Sequence, residues 1–197
     1  MKSTKEKILE EAVRLFMTKG YEGTSIKEIE TAIGKTRGAI FYSFKNKQQL
    51  FEAVVDEYIL NIQTIYWTFD IPENLSLKEF IYLYINGIQK TMAKMLSLCI
   101  VNIYKSYYAL YLEASRYYPN FSDIAAKNLI KEIQAWENVI KEAIKSKEIQ
   151  DIDASTYALL FRSCFVGLSF ERCLTYGLNP EELLKIYSHI YESIRIK

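Results

Sequence analysis

The sequence contains few residues that interrupt a helix, with only three prolines and seven glycines among its 197 residues. Between these residues the apolar positions recur at helical spacing, and no segment alternates apolar and polar residues as a half-buried strand does. The pattern argues against a β-sheet. We therefore expect an all-α protein of about nine helices.

Long apolar runs are also missing from the sequence. Arg162 interrupts the most apolar stretch, residues 157–170, and this stretch is shorter than the roughly 20 apolar residues that a membrane-spanning helix needs. The N-terminal residues carry charges throughout and lack the apolar core of a signal peptide. We expect a cytoplasmic protein that has no membrane partner.

Residues that carry catalytic or metal chemistry are scarce. The single histidine, His189, has no cysteine or acid at triad-like spacing, and the sequence contains no Glu-x-x-His motif. Asp151-x-Asp153 lacks the remaining ligands of a calcium loop. Three cysteines stand at no metal-ligand spacing, and we expect buried small hydrophobes in preference to a thiol sensor: Cys99, Cys164 and Cys173. The sequence therefore predicts no metal, no cofactor and no enzyme activity.

The net charge of +1 is unevenly distributed along the chain. Residues 1–47 contain ten Lys or Arg and six Glu, a net charge of +4, which leaves −3 for the remainder. No acidic residue occurs between Glu30 and Glu52, whereas four basic residues fall in this window: Lys35, Arg37, Lys45 and Lys47. Such a window can accept a polyanion such as DNA.

The N-terminal segment has the spacing of a helix-turn-helix. Apolar residues at helical spacing predict a first helix that ends near Gly20. Residues 25–28 form a capping box that begins a second helix, and Gly34 can end it in the left-handed conformation. Thr36 can cap a third helix, so that a turn of about three residues separates helices two and three. Asn46 then begins a fourth helix.

The third predicted helix, residues 36–44, has side chains suited to reading DNA. Its inward face is Ile40 and Phe44, and its outward face can meet base edges while neighbouring groups hold phosphates. Arg37 is the main base-reading candidate because a guanidinium pairs with guanine O6 and N7. Two small residues complete the base-reading set, namely Gly38 and Ala39. The candidate phosphate ligands are Thr36, Tyr42, Lys45 and Lys47. A generic helical hairpin explains the spacing equally well, but the acid-free window favours DNA.

The segment resembles the N-terminal domain of TetR-family repressors over about its first 60 residues. The residues that carry this resemblance are Leu15, Phe16, Gly20, Tyr21, Thr24, Ser25, Ile29, Ala32, Gly34, Gly38, Tyr42, Phe44, Lys47 and Leu50. Phe41 stands where a tyrosine is usual, and Ser43 stands where a histidine is usual. The resemblance implies that Thr24 and Ser25 are further phosphate ligands. Lys35, at a usually apolar position, adds a base-reading candidate.

The resemblance also implies two domains, a DNA-binding domain at residues 1–62 and a helical domain at residues 63–197 that dimerises and binds an effector. A connection is expected at residues 67–76. The very apolar helix that reaches Tyr176 and the final helix from Pro180 would form a four-helix dimer interface. A buried central helix in a monomer explains the apolar helix almost as well. The candidate interface residues are Phe161, Phe165, Gly167, Leu168, Leu184, Tyr187 and Tyr191.

Tyrosines are concentrated in the middle of the chain, with ten of the sixteen between Tyr58 and Tyr118. Several recur on one face of a predicted helix and could line a pocket for a mainly apolar or aromatic effector, although core packing is the favoured explanation. The candidate pocket residues are Tyr82, Tyr104, Tyr107, Tyr108, Tyr111 and Trp136.

These observations together predict a homodimeric repressor that an effector releases from a pseudopalindromic operator in double-stranded DNA. Two alternatives come from other classes. The first is a helical adaptor that binds only protein, which would not need the acid-free basic window. The second is a helical-bundle enzyme, for which the sequence offers no catalytic constellation.

Overall fold

The computed structural model describes residues 3–34, 36–61 and 75–197, and these ranges fold into nine α-helices. The helices are α1 (Thr4–Lys19), α2 (Ile26–Ile33), α3 (Arg37–Ser43), α4 (Lys47–Val55), α5 (Leu77–Leu96), α6 (Ile103–Tyr117), α7 (Phe121–Lys145), α8 (Ala154–Arg172) and α9 (Pro180–Ile194). A π-helical turn, Asp56–Leu60, continues α4. The prediction of an all-α fold of about nine helices is confirmed.

Extended backbone is rare in these ranges, where it forms one isolated antiparallel bridge between Ile149 and Arg195. None of the described helices is both long enough and apolar enough to cross a bilayer. Residues 67–74 of the predicted connection lie outside the described residues.

Side chains predicted to cap helices do so at most of the expected positions. Ser25 and Glu28 form the predicted capping box at α2, and the side chain of Asn46 accepts a hydrogen bond at the start of α4. Gly34 ends α2 with φ 61°, in the left-handed region that favours glycine. Thr36 occupies the predicted cap position of α3, but its side chain makes no capping hydrogen bond.

The helix predicted to reach Tyr176 ends earlier, at Arg172. Residues 173–176 form turns in place of a continued helix. The backbone N–H of Gly177 donates to the carbonyl of Arg172 at 2.9 Å, and Gly177 has φ 82°. A glycine in this conformation closes the helix end, which explains the shorter α8.

The chain divides into two compact units, residues 1–62 with 94–124 and residues 63–93 with 125–197. The first unit therefore contains the predicted DNA-binding domain together with α6, which the sequence analysis assigned to the second domain. The boundary between functional domains at residue 62 stays a prediction.

The first unit is organised around α1, which packs against α2, α3, α4 and α6. Phe16 of α1 and Phe51 of α4 meet edge to face, with ring centroids 5.2 Å apart. Ile29 of α2 and Ile40 of α3 are fully buried in the same unit. Burial of each such side chain contributes roughly 1.5–3 kcal/mol, so α3 is held by its inward face.

The second unit has an aromatic core. Its fully buried rings come from α5, α7, α8 and α9, and they are Phe80, Tyr84, Trp136, Phe161 and Tyr187. Trp136 and Phe161 lie nearly parallel, with centroids 4.7 Å apart and an interplanar angle of 4°. These rings pack against one another and form the hydrophobic core of the second unit.

A buried charge lies beside this core. The carboxylate of Glu132 in α7 accepts hydrogen bonds from the Tyr84 hydroxyl at 2.6 Å and from Nε of Arg162 at 3.1 Å. Glu132 is a buried residue, and Arg162 is its charge partner from α8. The pair therefore ties α5, α7 and α8 together through one carboxylate.

Candidate nucleic-acid interface

The candidate interface is the outward face of α3. Ile40 and Phe44 are buried, as predicted, and they hold the helix against the first unit. The opposite side carries Arg37, Gly38 and Tyr42, all of them exposed. Tyr42 is 93% exposed, which is unusual for a large aromatic side chain and makes its ring and hydroxyl accessible to a partner.

Arg37 stands at the first position of α3 with its guanidinium 5.2 Å from the ring centroid of Phe41. A cation over an aromatic face is attracted by the ring quadrupole. The contact restrains the guanidinium over the Phe41 ring, and Arg37 as a whole remains an exposed residue. Phe41, the residue that departs from the family's usual tyrosine, thus supports the main base-reading candidate.

Gly38 has no packing reason to be a glycine. Among the described residues, a Cβ at this position would meet Oγ1 of Thr36 alone, at 3.9 Å, which is ordinary van der Waals contact. Glycine in a helix is less stable than alanine by about 1 kcal/mol. The lack of a side chain therefore leaves the backbone of α3 bare at Gly38, where the described residues leave room for a Cβ. Ala39, the other small residue, is half-buried.

Two lysines follow the C-terminal end of α3. Lys45 is exposed, and Lys47 is half-buried at the first position of α4. The Lys47 ammonium lies 4.2 Å from the centroid of the Tyr21 ring. Both residues stand near the N-terminus of α4, whose free backbone N–H groups also favour anions.

The remaining predicted phosphate ligands differ in accessibility. Thr36 is exposed, and its hydroxyl is not used for capping, so it can donate to a phosphate. Thr24 is 1% exposed, and its hydroxyl donates to the carbonyl of Gly20 at 2.8 Å. The structure therefore offers no phosphate contact from Thr24, which corrects that expectation. Lys35 lies outside the described residues.

Ser25 is exposed but already engaged with Glu28. Its hydroxyl donates to the Glu28 carboxylate at 2.9 Å and accepts from the Glu28 backbone N–H at 3.3 Å. A phosphate contact from this hydroxyl requires that it turn away from Glu28. Lys19 donates to the same carboxylate at 2.6 Å, and this bond with those from Ser25 lowers the pKa of Glu28 to about 2. Glu28, in the first turn of α2, is thus ionised and paired at neutral pH.

The predicted effector residues are divided between the two units. Tyr82 and Trp136 belong to the second unit, whereas Tyr104, Tyr107, Tyr108 and Tyr111 belong to the first. Trp136 is fully buried among core rings, and Tyr82 is 51% exposed. A surface pocket of about 390 Å³ in the second unit is lined by none of these aromatic residues; charged side chains such as Glu137 and Lys141 line it. The predicted effector residues stay a prediction.

The predicted dimer residues also separate into two groups. Phe161 and Tyr187 are fully buried in the core of their own unit, and the Tyr187 hydroxyl donates to the Phe161 carbonyl at 2.7 Å. These two residues cannot meet a partner, which corrects the prediction for them. Gly167 is exposed, and four others are half-buried: Phe165, Leu168, Leu184 and Tyr191.

The structure reveals an exposed stripe along α8 and just beyond it, of which only Gly167 was predicted from the sequence. Its members recur at alternating spacings of three and four residues, and they are Leu160, Ser163, Gly167, Phe170 and Leu174. We call this set the α8 stripe. Its signal in the sequence was the 3-4 spacing, which the neighbouring core residues masked because the whole helix is apolar.

The cysteines differ from one another in the structure. Cys173 is buried, as expected, whereas Cys99 is exposed, which corrects the prediction for that residue. Burial raises the pKa of the Cys164 thiol, so this thiol is protonated and slow to react. Within the described ranges, no three acidic, histidine or cysteine side chains are grouped as metal ligands would be.

Known proteins match the N-terminal part of the chain, which contains the candidate interface. The family described as bacterial regulatory proteins, tetR family, matches residues 8–54. The HTH-type transcriptional repressor AcnR of Corynebacterium efficiens is 46% identical over 55 residues, which are 28% of this chain and 29% of AcnR. The chain thus matches less than a third of the length of this curated relative.

Solved structures match nearly the whole chain in fold. A TetR-family transcriptional regulator from Agrobacterium tumefaciens superposes with a TM-score of 0.66 at 16% identity, covering 98% of each chain. A proposed transcriptional regulator from Saccharomonospora viridis, solved in complex with choline, gives a TM-score of 0.71 at 16% identity and covers 98% of each chain. At these identities the likeness concerns the fold alone.

The exposed α3 and the match over residues 8–54 define the N-terminal part of this chain as a helix-turn-helix DNA-binding domain. The sequence match to the tetR family covers this N-terminal domain, and the described residues share their helical fold with solved structures titled as TetR-family regulators. The resemblance stated from the sequence is confirmed.

Proposed function

We propose that this protein is a DNA-binding transcriptional regulator whose α3 enters the major groove of an operator. The observation that carries the proposal is the outward face of α3, where Arg37 and Tyr42 are exposed beside a glycine that the chain itself does not require. The surrounding sequence has no acidic residue from 31 to 51, so this face attracts the phosphate backbone.

The residues of this face have two roles, contacting bases and binding phosphates. Arg37 reads a guanine through its two parallel donors, while Ala39 and the bare backbone at Gly38 allow the helix to approach the bases, with Lys35 as a further candidate. Phosphates are held by Thr36, Tyr42, Lys45 and Lys47, and by Ser25 after its hydroxyl leaves Glu28. These contacts fix the register of the helix and carry most of the salt-dependent affinity.

The regulator acts as a homodimer through the α8 stripe. The stripe presents exposed leucines at the 3-4 spacing of packed helices, with Ser163 and Gly167 at its centre. A Cβ at Gly167 would meet no described residue within 4 Å, so a partner helix can approach closely there. A two-fold dimer places its two α3 helices in successive major grooves, about 34–36 Å apart, and therefore reads a pseudopalindrome.

A small, mainly apolar or aromatic effector releases the repressor from its operator. Support comes from the many aromatic side chains of the chain and from the neighbour of the same fold that was solved with choline. Release follows if the effector favours a conformation with a different spacing of the two α3 helices. The protein acts where its operator lies, in the cytoplasm, and has no catalytic role.

A mobility-shift experiment separates this proposal from a protein-binding adaptor. The full-length chain is titrated against the DNA upstream of its own gene and against random duplex, at two salt concentrations. The proposal predicts a discrete complex on the upstream DNA that survives an excess of random competitor. Binding to neither DNA at low salt would exclude DNA recognition and favour the adaptor.

A further inference from the structure

An aromatic stack connects α6 with the proposed phosphate contact of Lys47. Tyr117, the last residue of α6, stacks on Tyr21, with ring centroids 4.4 Å apart and planes inclined by 29°. The Lys47 ammonium in turn lies 4.2 Å from the Tyr21 centroid. Three side chains from three parts of the first unit therefore touch in series, and Tyr117 was not among the predicted DNA-binding residues.

The Tyr21 ring in the middle of this series is fixed on several sides. Its hydroxyl donates to Oε1 of Gln48 at 2.8 Å, and its backbone N–H donates to the Glu113 carboxylate at 2.9 Å. Phe51 meets the ring edge to face, with centroids 4.8 Å apart. Gln48, the residue after Lys47, also donates its amide to the carbonyl of Tyr117. The ring cannot swing away without breaking these contacts.

A fixed aromatic ring restricts where a lysine ammonium can lie. A lysine side chain normally samples many rotamers and loses that freedom when it binds a phosphate. An ammonium that is already held over a ring loses less conformational entropy when it binds a phosphate. The protein therefore binds DNA more tightly. The ammonium has three donors, so contact with the ring leaves it able to bind a phosphate oxygen.

Lys45 offers a matched comparison two residues away. It is exposed and near the same end of α3, and its ammonium contacts no ring in the described part of the chain. Lys45 and Lys47 thus differ in the support that their ammonium groups receive.

We propose that the stack of Tyr117 on Tyr21 positions the Lys47 ammonium for a DNA phosphate, which makes Tyr117 of α6 a positioning residue for DNA binding that does not itself touch DNA. This inference rests on the proposed function, because it explains how the Lys47 ammonium is held in place for its proposed contact with a DNA phosphate. It also gives α6 a direct route to the DNA-binding surface within the first unit.

The test is a double-mutant cycle on full-length protein with random-sequence duplex over a series of KCl concentrations. Lys47→Met is expected to reduce the slope of log K against log salt by about 0.9 for each phosphate that the protein no longer neutralises. Tyr117→Leu is expected to weaken binding by up to about two- to fivefold, because a Tyr21 ring that Tyr117 no longer holds orders the Lys47 ammonium less well. The upper limit is the effect of losing one exposed cation–π interaction. Adding Tyr117→Leu to Lys47→Met should weaken binding no further.

Two controls identify a merely structural effect. Tyr117→Leu combined with Lys45→Met should weaken binding by the product of the two single effects, because Lys45 does not use the stack. Tyr117→Phe keeps the ring, loses the hydroxyl contact with Glu22 and should bind nearly as the wild type does. If Tyr117→Leu weakens binding equally in the wild-type and Lys47→Met backgrounds, the positioning role is refuted.

A second measurement needs neither DNA nor a substitution. Reductive ¹³C-methylation of the wild-type protein labels each lysine while keeping its charge. Ring current from Tyr21 should move the Lys47 methyl signal upfield of the Lys45 signal. Coincident signals would overturn the proposal even if Tyr117→Leu failed to fold. An upfield signal in a protein that binds no DNA would instead refute the proposed function and leave the stack intact.

Discussion

Gly38 lies at the second position of α3, where the chain leaves room for a side chain. Gly38→Ala is therefore expected to stabilise the protein by about 0.4–1 kcal/mol, because alanine loses less backbone entropy on folding. The same methyl group should weaken operator binding, since it stands where α3 approaches the DNA. Urea unfolding and fluorescence anisotropy measure the two effects.

Gly34→Ala serves as the control for this substitution. Gly34 has φ 61°, where an added Cβ costs roughly 1–2 kcal/mol, so this variant should lose stability. A Gly38→Ala protein that is more stable and binds the operator as tightly as the wild type would show that no partner surface approaches this helix.

Arg162 is the charge partner of a buried carboxylate. Arg162→Met would leave Glu132 buried, with the Tyr84 hydroxyl as its remaining hydrogen-bond donor in the described part of the chain. We expect a loss of about 2–4 kcal/mol in the free energy of unfolding, because an uncompensated buried charge is costly.

The matched control is Arg195→Met. Arg195 pairs with Glu192 three residues away on the surface of the same unit, with both side chains nearly half exposed. Such a pair contributes at most about 0.5 kcal/mol. Similar losses in the two variants would mean that the Glu132 pair is no more important than a surface contact.

At the level of elements, Glu28 joins α1 to α2 and gives a pH dependence. Its carboxylate receives Lys19 from α1 and caps α2 with Ser25, which lowers its pKa from 4.5 to about 2. A carboxyl with a lowered pKa stabilises the folded state above its unfolded pKa, and this contribution is lost as the pH falls through the folded pKa. The stability difference between wild type and Glu28→Gln should therefore shrink between pH 4.5 and about 2.

Urea unfolding followed by circular dichroism at several pH values measures this difference. Ser25→Ala removes the cap without removing a titrating group and should cost about 1 kcal/mol at neutral pH. A wild-type advantage over Glu28→Gln that is constant across the acidic range would contradict the assigned pairing.

Short-range signals explain why so much of the helical architecture could be predicted. Capping at Ser25 and Asn46, the left-handed turn at Gly34 and the proline at the start of α9 each depend on residues within one helical turn. The inward face of α3 followed from the periodicity of Ile40 and Phe44, and the structure confirms both as buried.

Long-range contacts explain what the sequence could not predict. The backbone N–H of Tyr21 donates to the carboxylate of Glu113, which is 92 residues away. No local sequence pattern predicts such a pair. Thr24 and Ser25 are neighbours with the same chemistry, yet one hydroxyl is buried against Gly20 and the other is exposed. In α8, apolar residues cover every side, so periodicity could not separate Phe161 in the core from Leu160 on the surface.

For the whole molecule, the α8 stripe predicts a dimer whose loss spares the protomer fold. Leu160 is 40% exposed, so Leu160→Glu should leave folding intact while placing a charge in the interface. We expect sedimentation to report a protomer for this variant and a dimer for the wild type.

Ile130→Glu is the matched control, because Ile130 of α7 is 53% exposed in the same unit but lies outside the stripe. This variant should remain dimeric. If both variants or neither of them became monomeric, the stripe would not be the dimer interface.

The central claim is that α3 reads bases through Arg37. Duplexes selected from a random pool by the wild-type protein should be pseudopalindromes with half-sites about 10–10.5 base pairs apart, or a multiple of that spacing. The affinities of the wild type and Arg37→Ala are then measured on the selected duplex and on random DNA at one salt concentration. We expect Arg37→Ala to lose about 1–3 kcal/mol per half-site on the selected duplex and little on random DNA. Equal losses on the two DNAs would contradict the claim that Arg37 reads bases.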